Sequence, residues 1–213
     1  MTNGSDSAGR VRPLYWLIRF TAFVFFKVFY RITIKNIENV PLSGGAIIAP
    51  NHASMLDPPA VGSIIPREVS FFAKKELFRI PMLREFLQYV KTIPVDRKGY
   101  SAGALKDIVR CLKNGRAVII FPEGTRTKTG DFLQPKKGAA MTAVMAGVPI
   151  VPCWVQGSYH AKPLFSKITI HFLPPFSPDE IEAETKKEHY LLVSDRIMCD
   201  ISRLSKKHAA VLN

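Results

Sequence analysis

Short, wholly apolar runs alternating with stretches of helical period constrain this chain most. Residues 117–121, Ala-Val-Ile-Ile-Phe, offer no polar position for a solvent face, so a strand there must be covered on both sides. Further strands are predicted at 32–37, 46–49, 69–72, 92–95, 150–155 and 168–172. Between them, Leu105, Ile108, Val109 and Leu112 recur at helical spacing, placing a helix between Ser101 as N-cap and Gly115 as stop. Helices are also predicted over 82–90 and 137–146. Ser177-Pro178-Asp179-Glu180 reads as a capping box with proline at the first helical position, opening a long C-terminal helix. Strand and helix taking turns in this way imply a single α/β domain with a largely parallel sheet flanked by helices. At 213 residues the chain is long enough for a sizeable core of that kind.

The N-terminal part is different. Residues 1–9 are small and polar and read as a disordered lead-in. Residues 10–31 contain the aromatic, apolar segment Pro13–Tyr30, interrupted by Arg19 and Lys27 and closed by Arg31. On a helix these cations share a sector of about 120°, opposite a wide Phe, Leu, Ile and Trp face. That is the pattern of an amphipathic helix lying in a membrane interface, its basic side toward headgroups. The alternative is a helix docked on the core, but the aromatic load exceeds what one docked face needs. No uncharged apolar stretch reaches the ~18 residues of a spanning helix, and no small-residue cleavage site follows. Residues 32–213 are assigned to the α/β domain, including the long C-terminal helix.

The formal charge of +13 calls for an anionic partner: nucleic acid, lipid headgroup or phosphorylated substrate. The excess is uneven. Residues 1–31 carry five basic groups against one acid and residues 67–98 eight against four, whereas residues 179–207 are close to balanced. Cys111, Cys153 and Cys199 lack metal-like spacing and an even count, so they read as buried small hydrophobes in a reducing compartment. His160, His171, His189 and His208 lack partner spacing and read as structural or surface groups. No metal site is evident.

Two loops carry candidate chemistry. After the strand at 46–49 comes Pro50-Asn51-His52-Ala53-Ser54-Met55-Leu56-Asp57-Pro58-Pro59. On a regular helix His52 and Asp57 would lie roughly 140° apart and could not touch. Proline after Asp57 disfavours the helical conformation there, so a turn can fold the carboxylate back on the imidazole. A histidine oriented by a carboxylate is a general base. The competing role for Asp57 is N-cap of a helix starting at Pro58. The second loop, Phe121-Pro122-Glu123-Gly124-Thr125-Arg126, follows the apolar strand and supplies a glycine for close backbone approach, a hydroxyl and a guanidinium fork, which suits phosphate.

Together these blocks resemble the 1-acylglycerol-3-phosphate acyltransferase family, membrane enzymes that convert lysophosphatidic acid to phosphatidic acid. The family's His-x4-Asp motif is matched by His52 to Asp57, and its second block by Ile93-Pro94-Val95-Asp96-Arg97. Phe-Pro-Glu-Gly-Thr-Arg is matched without change, with Thr127 where serine is commoner. Val148-Pro149-Ile150-Val151-Pro152 looks like the family's Pro-rich strand, and Lys74-Lys75-Glu76 and Lys136-Lys137-Gly138 are also similar. The resemblance covers roughly residues 30–160. It implies that His52, oriented by Asp57, deprotonates the free hydroxyl of a lysophospholipid, which attacks the thioester of acyl-CoA or acyl-carrier protein. Arg126, with Gly124 and Thr125 and with Lys74, Lys75 or Arg97, would hold the acceptor phosphate, and Glu123 would organise the loop.

The expected partners are therefore lysophosphatidic acid, acyl-CoA or acyl-carrier protein as co-substrate, and a membrane surface. The place of action is the cytoplasmic face of the inner (plasma) membrane, and no cofactor is expected. No Gly-x-Ser-x-Gly elbow is present, although Ser54 stands two residues from His52 as an alternative nucleophile. Three other readings stay open: an acceptor that is another lysolipid or glycerol 3-phosphate, a basic nucleic-acid binder, and a non-catalytic membrane-surface protein. Against nucleic acid, no recognised motif is present and the aromatic residues gather in the N-terminal segment instead of on a stacking sheet.

Overall fold

A computed structural model describes residues 13–89, 92–95 and 102–212. The sheet is built around β2 (Ala46–Pro50), whose five residues are all buried. It pairs in parallel with β6 (Ala117–Ile119) on one side and β7 (Ile150–Gln156) on the other. Outward lie β3 (Val69–Ser70) beyond β6, and β8 (Thr169–Phe172) followed by β1 (Thr33–Lys35) beyond β7. Neighbouring strands are parallel except β7 and β8, which run antiparallel.

Alternation along β2 explains why its sequence has no polar face. Ile48 joins a core with Phe26, Tyr30, Val61 and Phe172, under helices α1 (Pro13–Tyr30) and α2 (Asp57–Ile64). Ile47 and Ala49 point the other way, into a core with Ile108, Leu112, Ala140 and Ile197. That second layer comprises α4 (Ala102–Lys113), α5 (Gly138–Ala146) and α6 (Lys186–Leu212). Both faces of the sheet are therefore covered, as a parallel sheet requires.

Two expectations about elements are corrected. The predicted strand at 69–72 is divided: Val69–Ser70 belongs to the main sheet, whereas β4 (Phe72–Lys74) pairs in parallel with β5 (Ile93–Val95) in a separate two-stranded sheet. The chain changes sheets at Phe71, whose carbonyl accepts from Ile93 N at 2.8 Å and whose ring packs on the core. The remaining helix in this part is α3 (Pro81–Tyr89). The Ser177 capping box is formed, but it opens only a 3-10 turn, Pro178–Glu180, and the backbone is extended again at Ile181. The long helix starts later, where Glu188 N donates to Thr185 Oγ1 at 3.2 Å, a second Thr-x-x-Glu pattern that carries the cap. Ser101, expected as the N-cap of α4, lies outside the described residues, as does the lead-in at 1–9.

Helix α1 combines the two readings of its sequence. Tyr15, Phe26 and Tyr30 are buried against the domain, and Tyr15 Oη accepts from Val69 N. Arg19 does not join an outward cationic stripe. Its Nε donates to Ser63 O at 3.0 Å and a terminal nitrogen donates to Ile64 O at 3.3 Å, capping the C-terminal end of α2, where unpaired carbonyls concentrate negative charge. Burial pulls the Arg19 pKa below its ordinary value, the cost of that inward position. The opposite face, with Leu14, Leu17, Phe20, Val24, Phe25 and Val28, is exposed. By length and composition α1 is apolar enough to span a membrane, but its inner face is already engaged by the domain.

Candidate functional site

Parallel pairing of β6, β2 and β7 brings the loops that follow them to one end of the sheet. His52 stands just past β2. The preceding Asn51 extends the strand pairing with its side chain, since Val155 N donates to Oδ1 at 2.7 Å and Nδ2 donates to Val155 O at 3.1 Å. The backbone that presents His52 is thus fixed to β7.

The chain then turns so that Asp57 folds back. Its Oδ2 accepts from His52 Nδ1 at 3.0 Å and from the backbone N–H groups of Ala53 and Ser54, both at 2.7 Å. These donors precede Asp57 in sequence, so the carboxylate orients the turn and the imidazole and does not cap α2; the capping alternative is not what forms. Asp57 is 0% exposed and the His52 side chain 16%. With Nδ1 bearing the proton shared with the carboxylate, Nε2 offers a lone pair, the arrangement of a general base. The Phe121 ring stacks on the imidazole, centroids 4.0 Å apart and planes 27° apart, which fixes the ring plane.

Glu123 ties the two loops together. One carboxylate oxygen accepts from His52 N at 2.7 Å and the other from Leu133 N at 2.9 Å, while Thr127 N donates to His52 O at 3.0 Å. Burial pushes the Glu123 carboxyl above its usual range, opposed by those two N–H donors. With both oxygens engaged inside the protein, Glu123 organises the loop and offers nothing to a phosphate. Gly124 adopts φ 67°, a left-handed conformation natural to glycine, and a Cβ there would come within 2.7 Å of Lys136 Cδ. Thr125 and Arg126 follow, both exposed. The turn is held from β7's side, where Tyr159 Oη donates to Lys128 O at 2.6 Å.

The family model described as Acyltransferase matches residues 31–156, a span that contains both loops. The chain belongs to the Acyltransferase family. This acyltransferase is similar to a Bacillus subtilis protein named 1-acyl-sn-glycerol-3-phosphate acyltransferase, at 36% identity over 137 residues, covering 64% of this chain and 68% of that one. A Cocos nucifera protein of the same name is 34% identical over 157 residues, 68% of this chain and 50% of its own. The chain thus spans between half and about two thirds of these relatives. The crystal structure of the 1-acyl-sn-glycerophosphate (LPA) acyltransferase PlsC from Thermotoga maritima superposes with a TM-score of 0.74 at 28% identity, covering 93% of this chain and 84% of that one. The resemblance drawn from the four sequence blocks therefore holds.

The expected site residues of the acyltransferase fall into three groups. His52, Asp57, Glu123, Gly124, Thr125 and Arg126 share the two adjoining loops. Lys74 ends β4 in the second sheet and Lys75, exposed, begins the 3-10 turn that follows it, so neither belongs to those loops. Arg97 lies outside the described residues. Sequence reasoning did not anticipate the stacking by Phe121, the amide bridge of Asn51, the placement of the Lys136 stem over Gly124, or the brace from Tyr159. Phe121 and Asn51 sit inside recognised motifs and Lys136 in the noted Lys-Lys-Gly run, but only the fold shows what they touch.

Proposed function

We propose that this acyltransferase moves an acyl group from acyl-CoA or acyl-carrier protein to the free sn-2 hydroxyl of lysophosphatidic acid, giving phosphatidic acid. The reading is carried by one observation: the His52–Asp57 pair, 3.0 Å apart, is joined through Glu123 and Thr127 to the loop presenting Gly124, Thr125 and Arg126. His52 Nε2 takes the hydroxyl proton as the acceptor oxygen bonds to the thioester carbonyl carbon. Asp57 stabilises the imidazolium that results. The tetrahedral intermediate then expels the thiolate, the C–S bond breaks, and the proton passes from His52 to the departing sulfur. The acceptor oxygen is itself the nucleophile, so no acyl-enzyme forms and Ser54 is not required.

Arg126 binds the acceptor phosphate. Among the described residues its guanidinium has no protein partner, so the fork is available to a ligand, and the Lys136 ammonium adds positive charge beside Gly124. The exposed apolar face of α1 rests in the lipid interface, at the cytoplasmic face of the inner (plasma) membrane, where acyl thioesters and an anionic lipid surface meet.

The test is an assay in mixed micelles with each donor against lysophosphatidic acid, glycerol 3-phosphate and a lysolipid lacking a phosphomonoester. Transfer to lysophosphatidic acid well above the other two is expected. Transfer confined to glycerol 3-phosphate would reassign the protein to an earlier acylation, and equal use of the third acceptor would remove the phosphate role of Arg126.

A further inference from the structure

The loop between β7 and β8 leaves the sheet at the same end as the His52 and Arg126 loops, and it carries two large apolar side chains that nothing in the domain covers. Phe165 is 82% exposed and Leu164 59%. Neither belongs to a core cluster, and Leu164 is held at φ 68°, a left-handed conformation that costs a leucine free energy.

The backbone around them is nonetheless fixed. Leu164 N donates to Phe29 O at the last turn of α1, Arg31 donates to Phe165 O at 2.9 Å, and Lys162 N donates to Ser166 Oγ at 2.8 Å. These bonds set the pair beside the exposed Val28 and Phe29, so the apolar surface of α1 continues into the loop. Cations flank it: Lys162 and Lys167 are exposed on either side, with Arg31 beneath. The sequence has no acidic residue between Asp131 and Asp179, nor between Asp6 and Glu38. An apolar tip ringed by basic groups, without acids in the segments that build it, is complementary to a surface with an apolar interior and anionic headgroups.

We propose that the Lys162–Lys167 tip is a second lipid-binding element, in which Leu164 and Phe165 enter an anionic bilayer while Lys162, Lys167 and Arg31 meet its headgroups. It rests on the same membrane reading as α1 and extends it. Contact at both α1 and this tip fixes the tilt of the domain and brings the end of the sheet that bears His52 toward the lipid. Tyr159, in the same loop, braces the Arg126 turn through Lys128 O, so the lipid-binding tip and the candidate phosphate loop share one support.

The test uses the full chain. Leu164→Ser with Phe165→Ser should lower partitioning onto phosphatidylglycerol vesicles by about tenfold or more, leaving the thermal midpoint unchanged because neither side chain is in the core. In a Phe165→Trp variant, lipids brominated in their acyl chains should quench additional emission beyond that of the parent, whose Trp16 lies on α1. Undiminished partitioning together with no added quenching overturns the proposal. If Trp16 is still quenched in that case, the α1 reading stands alone; if Trp16 is also unquenched, both readings fall. Should the serine changes instead convert a dimer to a monomer without altering vesicle binding, the patch joins two copies of the chain and the lipid proposal is overturned.

Discussion

At the residue scale, Asp57 Oδ2 accepts three donors while Oδ1, buried, has no partner among the described residues. Asp57→Asn can therefore keep its carbonyl oxygen toward Ala53 and Ser54 and lose mainly the negative charge facing the imidazole. Turnover should fall by about 10²-fold or more, with a smaller change in thermal midpoint. His52→Ala should lower turnover by about 10²- to 10⁴-fold with binding to vesicles retained. Retained turnover in His52→Ala removes the general base. Arg126→Lys preserves charge but loses the fork, so the acceptor KM should rise by an amount corresponding to about 1.5–3 kcal/mol, with the donor KM little changed. A shift in the donor constant instead assigns Arg126 to the donor's phosphates. The identities of these residues were legible in the sequence because their types and spacing are unusual. The direction of the Asp57 side chain was not, since capping and folding back both satisfy a carboxylate before Pro58, and only the positions of Ala53 and Ser54 N–H decide between them.

Elements show the limit of reading periodicity without neighbours. Apolar runs announced the central strands, and the period of Leu105, Ile108 and Leu112 announced α4, because both patterns follow from burial on known faces. The divided strand at 69–74 was not visible, since a change of sheet at Phe71 leaves the run equally apolar. Likewise the cations of α1 share a sector, but Arg19 is drawn inward by the carbonyl end of α2. Arg19→Met should lower stability by about 1–3 kcal/mol, read from urea unfolding, through two lost hydrogen bonds to α2 carbonyls. Its affinity for anionic vesicles should be nearly that of the parent. A large loss of vesicle binding with unchanged stability would return Arg19 to the outward surface.

On the scale of the whole molecule, α1 belongs to the core and also presents an apolar surface outward. Removing residues 1–31 should therefore do more than abolish membrane binding. Loss of the buried Tyr15, Phe26 and Tyr30 side chains, worth about 1.5–3 kcal/mol each, strips the face formed by Ile32, Val61 and Phe172. The truncated protein should be unstable or insoluble. Leu17→Ser, Phe20→Ser and Val24→Ser together separate the two roles: vesicle binding should drop by at least about tenfold while the thermal midpoint moves little. If vesicle binding persists in that variant, α1 is a core helix whose outer face has no lipid role.

The sequence by itself determined the α/β architecture, the order of most elements and the two loops that bear His52, Asp57, Glu123 and Arg126. Those follow from local rules: an apolar strand must be covered on both sides, and an imidazole, a carboxylate and a guanidinium in turns after such strands remain near the surface. Tertiary structure alone decided that the two loops meet, because parallel pairing of β2 with β6 aligns their ends and Glu123 spans the gap to His52 N. It also decided which face of α1 is inward and that residues 162–167 adjoin its C-terminal end. Contacts between residues so far apart in sequence arise from strand order and from competition for unpaired backbone groups, and neither is set by the pattern of any one segment.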